Sequence, residues 1–111
     1  MKLTTYYINL EKDVSRNNET VKELNKTNLK YRRFKGIDGK MVDIKKLLKK
    51  KIIYSFCSTY CTDKMIGCGM SHIFLYRHIK KYDKDKDYAL ILEDDILVTN
   101  PNLNYNKEIK D

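Results

Sequence analysis

Three consecutive carboxylates, Glu93, Asp94 and Asp95, follow directly on Tyr88-Ala89-Leu90-Ile91-Leu92. Five residues suited to a strand covered on both faces thus run into a cluster of like charge, which is stable only at a strand end facing water, a cation or both. Alternate side chains of an extended segment point the same way, so Glu93 and Asp95 share a face and can hold one divalent cation. Hard cations such as Mg²⁺ or Mn²⁺ take oxygen ligands and complete their shell with phosphate oxygens and water. A cation bridging two carboxylates to a diphosphate stabilises the charge on a departing nucleotide. The competing reading is a solvated acidic turn, and the uninterrupted apolar strand in front of the triplet weighs against it.

Other residues invite chemistry with less support. Ser71 and His72 are adjacent, so on a helix their side chains diverge, and no acid lies within helical reach to orient His72. His72 therefore reads as a packing or hydrogen-bonding residue. Arg16 and Arg77 stand between surface charge and phosphate contact. Asp83-Lys84-Asp85-Lys86-Asp87 resembles the opening of a calcium loop, but Tyr88 replaces the required Gly and Asp94 the required Glu. Tyr31-Arg32-Arg33-Phe34-Lys35 mixes aromatic and basic residues as nucleic-acid surfaces do, yet no known nucleic-acid-binding pattern accompanies it. Cys57, Cys61 and Cys68 fit neither a zinc pair nor a disulfide framework and read as reduced, mostly buried thiols.

The elements that must position these residues are an alternation of strand and helix. Leu3-Thr4-Thr5-Tyr6-Tyr7-Ile8 reads as a first strand. A helix follows, opened by Asp13 or Ser15, with Val14, Val21 and Leu24 on one face, running to about Lys26 with Asn28 as its C-cap. Tyr31 to Lys35 alternates like a second strand, and Gly36-Ile37-Asp38-Gly39 is a turn. This βαβ order implies a parallel sheet with a right-handed crossover. A short basic amphipathic helix spans 43–51, and 54–62 reads as a loop or a poorly specified strand. The clearest helix covers 66–82, aligning Ile66, Met70, Ile73, Phe74 and Ile79. Gly67 and Gly69 in its first turns permit close approach of backbone or ligand. A charged connection, 83–87, leads into the acidic strand, and the last ten residues show no pattern to bury.

The 111 residues suffice for one domain with a modest core. Lys and Arg exceed Asp and Glu by 23 to 15, a net charge of +8 that draws anions without naming them. No run approaches the ~20 apolar residues of a membrane span, and the N-terminus lacks the apolar region of a signal peptide, which leaves a cytoplasmic location as the default.

Four blocks in order carry a resemblance: Tyr7-Ile8-Asn9-Leu10 with Arg16 downstream, Phe34 to Gly39, Gly67 to His72 leading to Tyr76-Arg77, and Tyr88 to Asp95. Over about residues 3 to 98 they resemble glycosyltransferase family 25, which includes bacterial lipooligosaccharide galactosyltransferases and the galactosyltransferases of procollagen hydroxylysine. The resemblance implies an α/β fold of GT-A type, a Rossmann-like, mostly parallel sheet flanked by helices. It implies that Asn9, Leu10 and Arg16 cradle the nucleotide of a UDP-sugar, with Asp38 near base or ribose. It makes Asp95 the direct contact of Mn²⁺ or Mg²⁺ alongside Glu93, sends Asp94 to ribose or sugar, and lines the donor pocket with Ser71 and His72. No catalytic base is identified.

Family members continue for another domain-sized length that supplies the acceptor site. The expectation is therefore that 1–111 is the donor-binding part of a glycosyltransferase domain, with the acceptor half in further chain or in a partner chain. The activity implied is transfer of a hexose, galactose by resemblance, from a UDP-sugar to a glycan or hydroxylysine acceptor. The alternative is a truncated, non-catalytic module that binds nucleotide or polyanions.

Overall fold

The computed structural model describes residues 2–110, so the two ends of the expected 1–111 unit, Met1 and Asp111, lie outside the described residues. Strands β1 (Leu3–Asn9), β2 (Arg32–Lys35) and β3 (Tyr88–Glu93) form one sheet in the order β2-β1-β3. Both pairings are parallel, with Asn9 opposite Lys35 and Ile8 opposite Glu93. The expected βαβ unit is thus present, and a second crossover brings the acidic strand to the other side of β1.

Helices cover both faces of β1, and side-chain alternation decides which residue meets which. Tyr7 points to α1 (Val14–Leu24), where its hydroxyl donates to Asn17 Oδ1 at 2.6 Å. Tyr6 points to α4 (Asp63–Tyr82), with its ring edge-on to His78 at 5.6 Å and its hydroxyl donating to the buried Asp83 at 2.6 Å. β1 is accordingly buried through Thr4, Thr5, Tyr6, Tyr7 and Asn9. A separate apolar cluster of Leu47, Ile66 and Met70 joins α4 to α2 (Ile44–Lys49) and α3 (Ser55–Tyr60), with Ile37, Val42 and Ile53 around it.

Several local expectations are corrected. Residues 55–60 form helix α3 rather than a loop or strand. Cys57 and Cys61, one helical turn apart with Cα atoms 4.7 Å from each other, are disulfide-bonded, and Cys68 is exposed, so the reading of three reduced, mostly buried thiols fails. α4 starts three residues early because the Thr62 side chain accepts from the Met65 N–H. It buries Leu75 fully while Phe74 stays partly exposed. On α1 the covered stripe is Thr20 and Leu24 while Val14 faces solvent, and the helix is capped at Asn25, not Asn28.

β3 is less covered than its apolar sequence suggests. Among the described residues it pairs only with β1, and Leu90, Ile91 and Leu92 are half-buried. The last residues also contain a short helix, α5 (Tyr105–Lys110), begun where Asn104 Oδ1 accepts from the Lys107 N–H at 3.2 Å.

Candidate functional site

Because all three strands are parallel, their C-terminal ends, Asn9, Lys35 and Glu93, lie on one edge of the sheet. A cleft of about 480 Å³ opens there between the exit of β1, the turn after β2, the start of α4 and the acidic turn after β3. Crevices outside the carboxyl ends of parallel strands are where open α/β sheets bind ligands.

Asn9 anchors the cleft floor. It is 1% exposed, and its amide makes use of both ends. Nδ2 donates to Asp94 Oδ2 at 2.8 Å and to the Asp13 carbonyl at 3.2 Å, while Oδ1 accepts from Arg33 at 2.6 Å. Arg33 also donates to the Leu10 carbonyl at 3.2 Å, which fixes the loop leaving β1. Asp94 is held on its other oxygen by Arg16, 3.7 Å away, and its carbonyl accepts from the buried Thr20 of α1 at 3.1 Å. Asp94 is therefore spent on fixing the acidic turn to β1 and α1. Of Asp13 and Ser15, the two residues expected to open α1, Asp13 stands at the N-cap position but makes no side-chain capping bond and lines the cleft instead, while Ser15 lies within the helix.

On the opposite wall Asp38 accepts from Lys12 at 2.9 Å and from the Lys40 N–H at 3.1 Å, opening the 3-10 turn Gly39–Met41. The Lys12 ammonium, then the Lys40 amide, hold the Asp38 carboxyl below its ordinary range, and the same contact pushes Lys12 up. Ser71 is buried, and its hydroxyl bolts α4 to this wall: it donates to the Gly67 carbonyl at 2.7 Å and accepts from the Ile37 N–H at 2.8 Å. The bolt requires glycine. A Cβ on Gly67 would lie 2.6 Å from the Gly39 nitrogen and the Ile37 carbonyl oxygen, and one on Gly39 would lie 1.6 Å from the Asp63 carbonyl oxygen. Gly69 meets nothing within 4 Å.

The remaining acids behave differently from Asp94. Asp95 is exposed, lines the cleft and makes no ion pair or side-chain hydrogen bond among the described residues. Glu93 ends β3 with Oε1 3.3 Å from Cys68 Sγ and 3.6 Å from His72 Nε2. An acid does therefore stand beside His72, supplied by the sheet and not by its own helix. His72 does not line the cleft, and its other ring nitrogen lies 3.4 Å from the Tyr76 hydroxyl. Desolvation, and after it the neighbouring Glu93 carboxylate, push the Cys68 thiol up.

Charge in the cleft runs against that of the whole chain. Asp13, Asp38, Asp63, Glu93, Asp94 and Asp95 line it, against the four cations Lys12, Arg16, Lys40 and Lys64. Lys12 and Arg16 are already paired to Asp38 and Asp94, whereas Lys40 and Lys64 have no ion-pair partner among the described residues. An acidic cleft in a basic protein attracts cations, and a diphosphate entering it needs a divalent ion to offset the excess of carboxylates. Oxygen donors with an unpaired carboxylate among them are the set that Mg²⁺ and Mn²⁺ prefer, so these residues fit such an ion.

Of the nine residues singled out from sequence, the cleft brings together Leu10, Arg16, Asp38, Ser71, Glu93, Asp94 and Asp95, with Asn9 beneath them and His72 behind Glu93. Lys12, Asp13, Lys40, Asp63, Lys64 and Cys68 were not among them. Only the position of Lys12 and Asp13 directly after β1 carries a signal, since the first βα loop of a parallel sheet borders its ligand crevice.

A parallel sheet between helices with its cleft at the carboxyl edge defines an α/β protein of Rossmann-like, GT-A type architecture. The chain belongs to glycosyltransferase family 25: the family model described as glycosyltransferase family 25 (LPS biosynthesis protein) matches residues 2–111. No curated protein and no solved structure matches. No helix among the described residues is long and apolar enough to cross a membrane.

Proposed function

We propose that residues 1–111 form one donor-binding unit that holds a UDP-sugar in the cleft at the carboxyl edge of the sheet, for transfer of its hexose, galactose, to a glycan or hydroxylysine acceptor. The observation that carries this reading is the contrast between Asp94 and Asp95. Asp94 is fully used in fixing the turn, and that leaves Asp95 as an exposed carboxylate without a partner among the described residues at the cleft mouth.

In this reading Asp95, with Glu93, holds Mn²⁺ or Mg²⁺. When bound, that ion supplies charge neutralisation for the diphosphate and for the nucleotide as it leaves. Lys40 and Lys64 face the same phosphates as donors. The Leu10 loop and Arg16 border the nucleoside, and Asp38, kept ionised by Lys12, accepts from base or ribose hydroxyls. Ser71 works through the wall it bolts, because both its hydrogen bonds are made within the protein.

Thermal unfolding with UDP, UDP-galactose and UDP-glucose, each with and without Mn²⁺, tests this assignment. Stabilisation that needs both nucleotide and Mn²⁺ supports it, and UDP release from UDP-galactose extends it to catalysis. Stabilisation by heparin or DNA that is indifferent to Mn²⁺ and fades with salt would favour a polyanion-binding module instead.

A further inference from the structure

Cys68, His72 and Glu93 place one sulfur, one imidazole nitrogen and one carboxylate oxygen within 4.8 Å of one another. We infer that these three side chains form a site for a borderline-soft divalent metal, Zn²⁺ in chemical class, which shares Glu93 with the oxygen set around Asp95 and differs from it in its sulfur and nitrogen donors. Zinc sites with three protein ligands and an open fourth position draw on this mixture of thiolate, imidazole and carboxylate.

The geometry is that of a tetrahedron's face. With metal–ligand bonds near 2.0–2.3 Å, the ligand atoms of a tetrahedral site stand roughly 3.3–3.7 Å apart. Two of the three edges have this length already, Sγ to Oε1 at 3.3 Å and Nε2 to Oε1 at 3.6 Å. The third, sulfur to imidazole nitrogen, is within 4.8 Å, and a bound metal would draw these two ligands together.

The three residues are also held as a metal site requires. Cys68 and His72 are four residues apart on α4, hence on one face of a helix whose first turns are fixed to the cleft wall by Gly67 and Ser71. Glu93 is the last residue of β3, fixed by its register with Ile8. The Tyr76 hydroxyl lies 3.4 Å from His72 Nδ1, so the tautomer carrying its proton on Nδ1 donates to Tyr76 and presents the Nε2 lone pair toward Glu93. An outer hydrogen bond of this kind is the usual means of orienting a ligating histidine. Cys68 and Glu93 both line the cleft, and the open fourth position lies on that side.

The site shares Glu93 with the proposed donor-site cation but rests on its own geometry, and its test uses no nucleotide. The full chain, with Cys57 and Cys61 kept in their disulfide and one free thiol verified by titration, is titrated anaerobically with Co²⁺, a spectroscopic substitute for Zn²⁺. The site predicts a thiolate-to-cobalt charge-transfer band and intense tetrahedral d–d bands saturating at one equivalent, both displaced by Zn²⁺. Cys68→Ser should remove the charge-transfer band without changing the circular dichroism. His72→Ala and Glu93→Gln should each weaken binding by about tenfold or more. Absence of a thiolate band in the unsubstituted chain would overturn the assignment. So would a band that survives Cys68→Ser, or affinities unchanged in both His72→Ala and Glu93→Gln.

Discussion

Asn9 and Asp94, 85 residues apart in sequence, are joined by a 2.8 Å hydrogen bond that ties the end of the first strand to the acidic turn. With Arg33 on the other end of the amide and Arg16 on the other oxygen of the carboxylate, the pair fixes where Glu93 and Asp95 stand. Replacing Asn9 with Ala leaves the partly buried Asp94 carboxylate and the Arg33 guanidinium each short of a partner and should cost about 1–3 kcal/mol in urea unfolding. Asn9→Asp should be worse near neutral pH, because it sets a second carboxylate beside Asp94, and the gap between the two variants should narrow as pH falls into the carboxylate range.

The glycines of α4 give a paired prediction. Gly67→Ala drives a methyl group into the backbone at Gly39 and Ile37 and should destabilise by about 1–3 kcal/mol. It should also weaken UDP binding, since the displaced wall carries Asp38. Gly69 faces open space in a helix interior, so Gly69→Ala should stabilise by about 0.8–1.0 kcal/mol. Thermal melts of the two variants, run side by side, check both signs.

Alkaline stability should report on Tyr6. Burial first, then its hydrogen bond to Asp83, raise its pKa above 10.0, and burial raises that of Tyr7. The unfolded chain releases these protons at about pH 10, while the folded chain still holds them. This contribution to stability is complete below the unfolded value and is lost as pH rises through the folded one. Urea midpoints measured from about pH 8 to about pH 11 should fall at the alkaline end, and less steeply in Tyr6→Phe. At neutral pH Tyr6→Phe should cost about 1–3 kcal/mol, because Asp83 loses a buried donor and is left with Arg32 as its side-chain partner among the described residues.

Sequence patterns disclosed the three strands and two main helices because each carries its own period or turn signal. They located the acidic triplet at the end of β3 because charge beside an apolar strand is a local contrast. They could not tell the three acids apart: Asp94 differs from Asp95 only through Asn9 and Arg16, contacts made by folding. The glycines were legible as points of close approach, but which of them meets backbone depends on the turn after β2, so Gly67 is required and Gly69 is not. α3 and its disulfide escaped because Tyr54 to Thr62 has no apolar period. His72 gained its acid from another element, which helical spacing cannot show.

The most direct measurement of the donor-site assignment is calorimetric titration of UDP into the chain with Mn²⁺, compared with Asp95→Ala. Saturable UDP binding that requires Mn²⁺ and is lost in Asp95→Ala, with the variant's melting temperature unchanged, is the predicted result. UDP binding of equal strength in both proteins, or none in the unsubstituted chain, would contradict it.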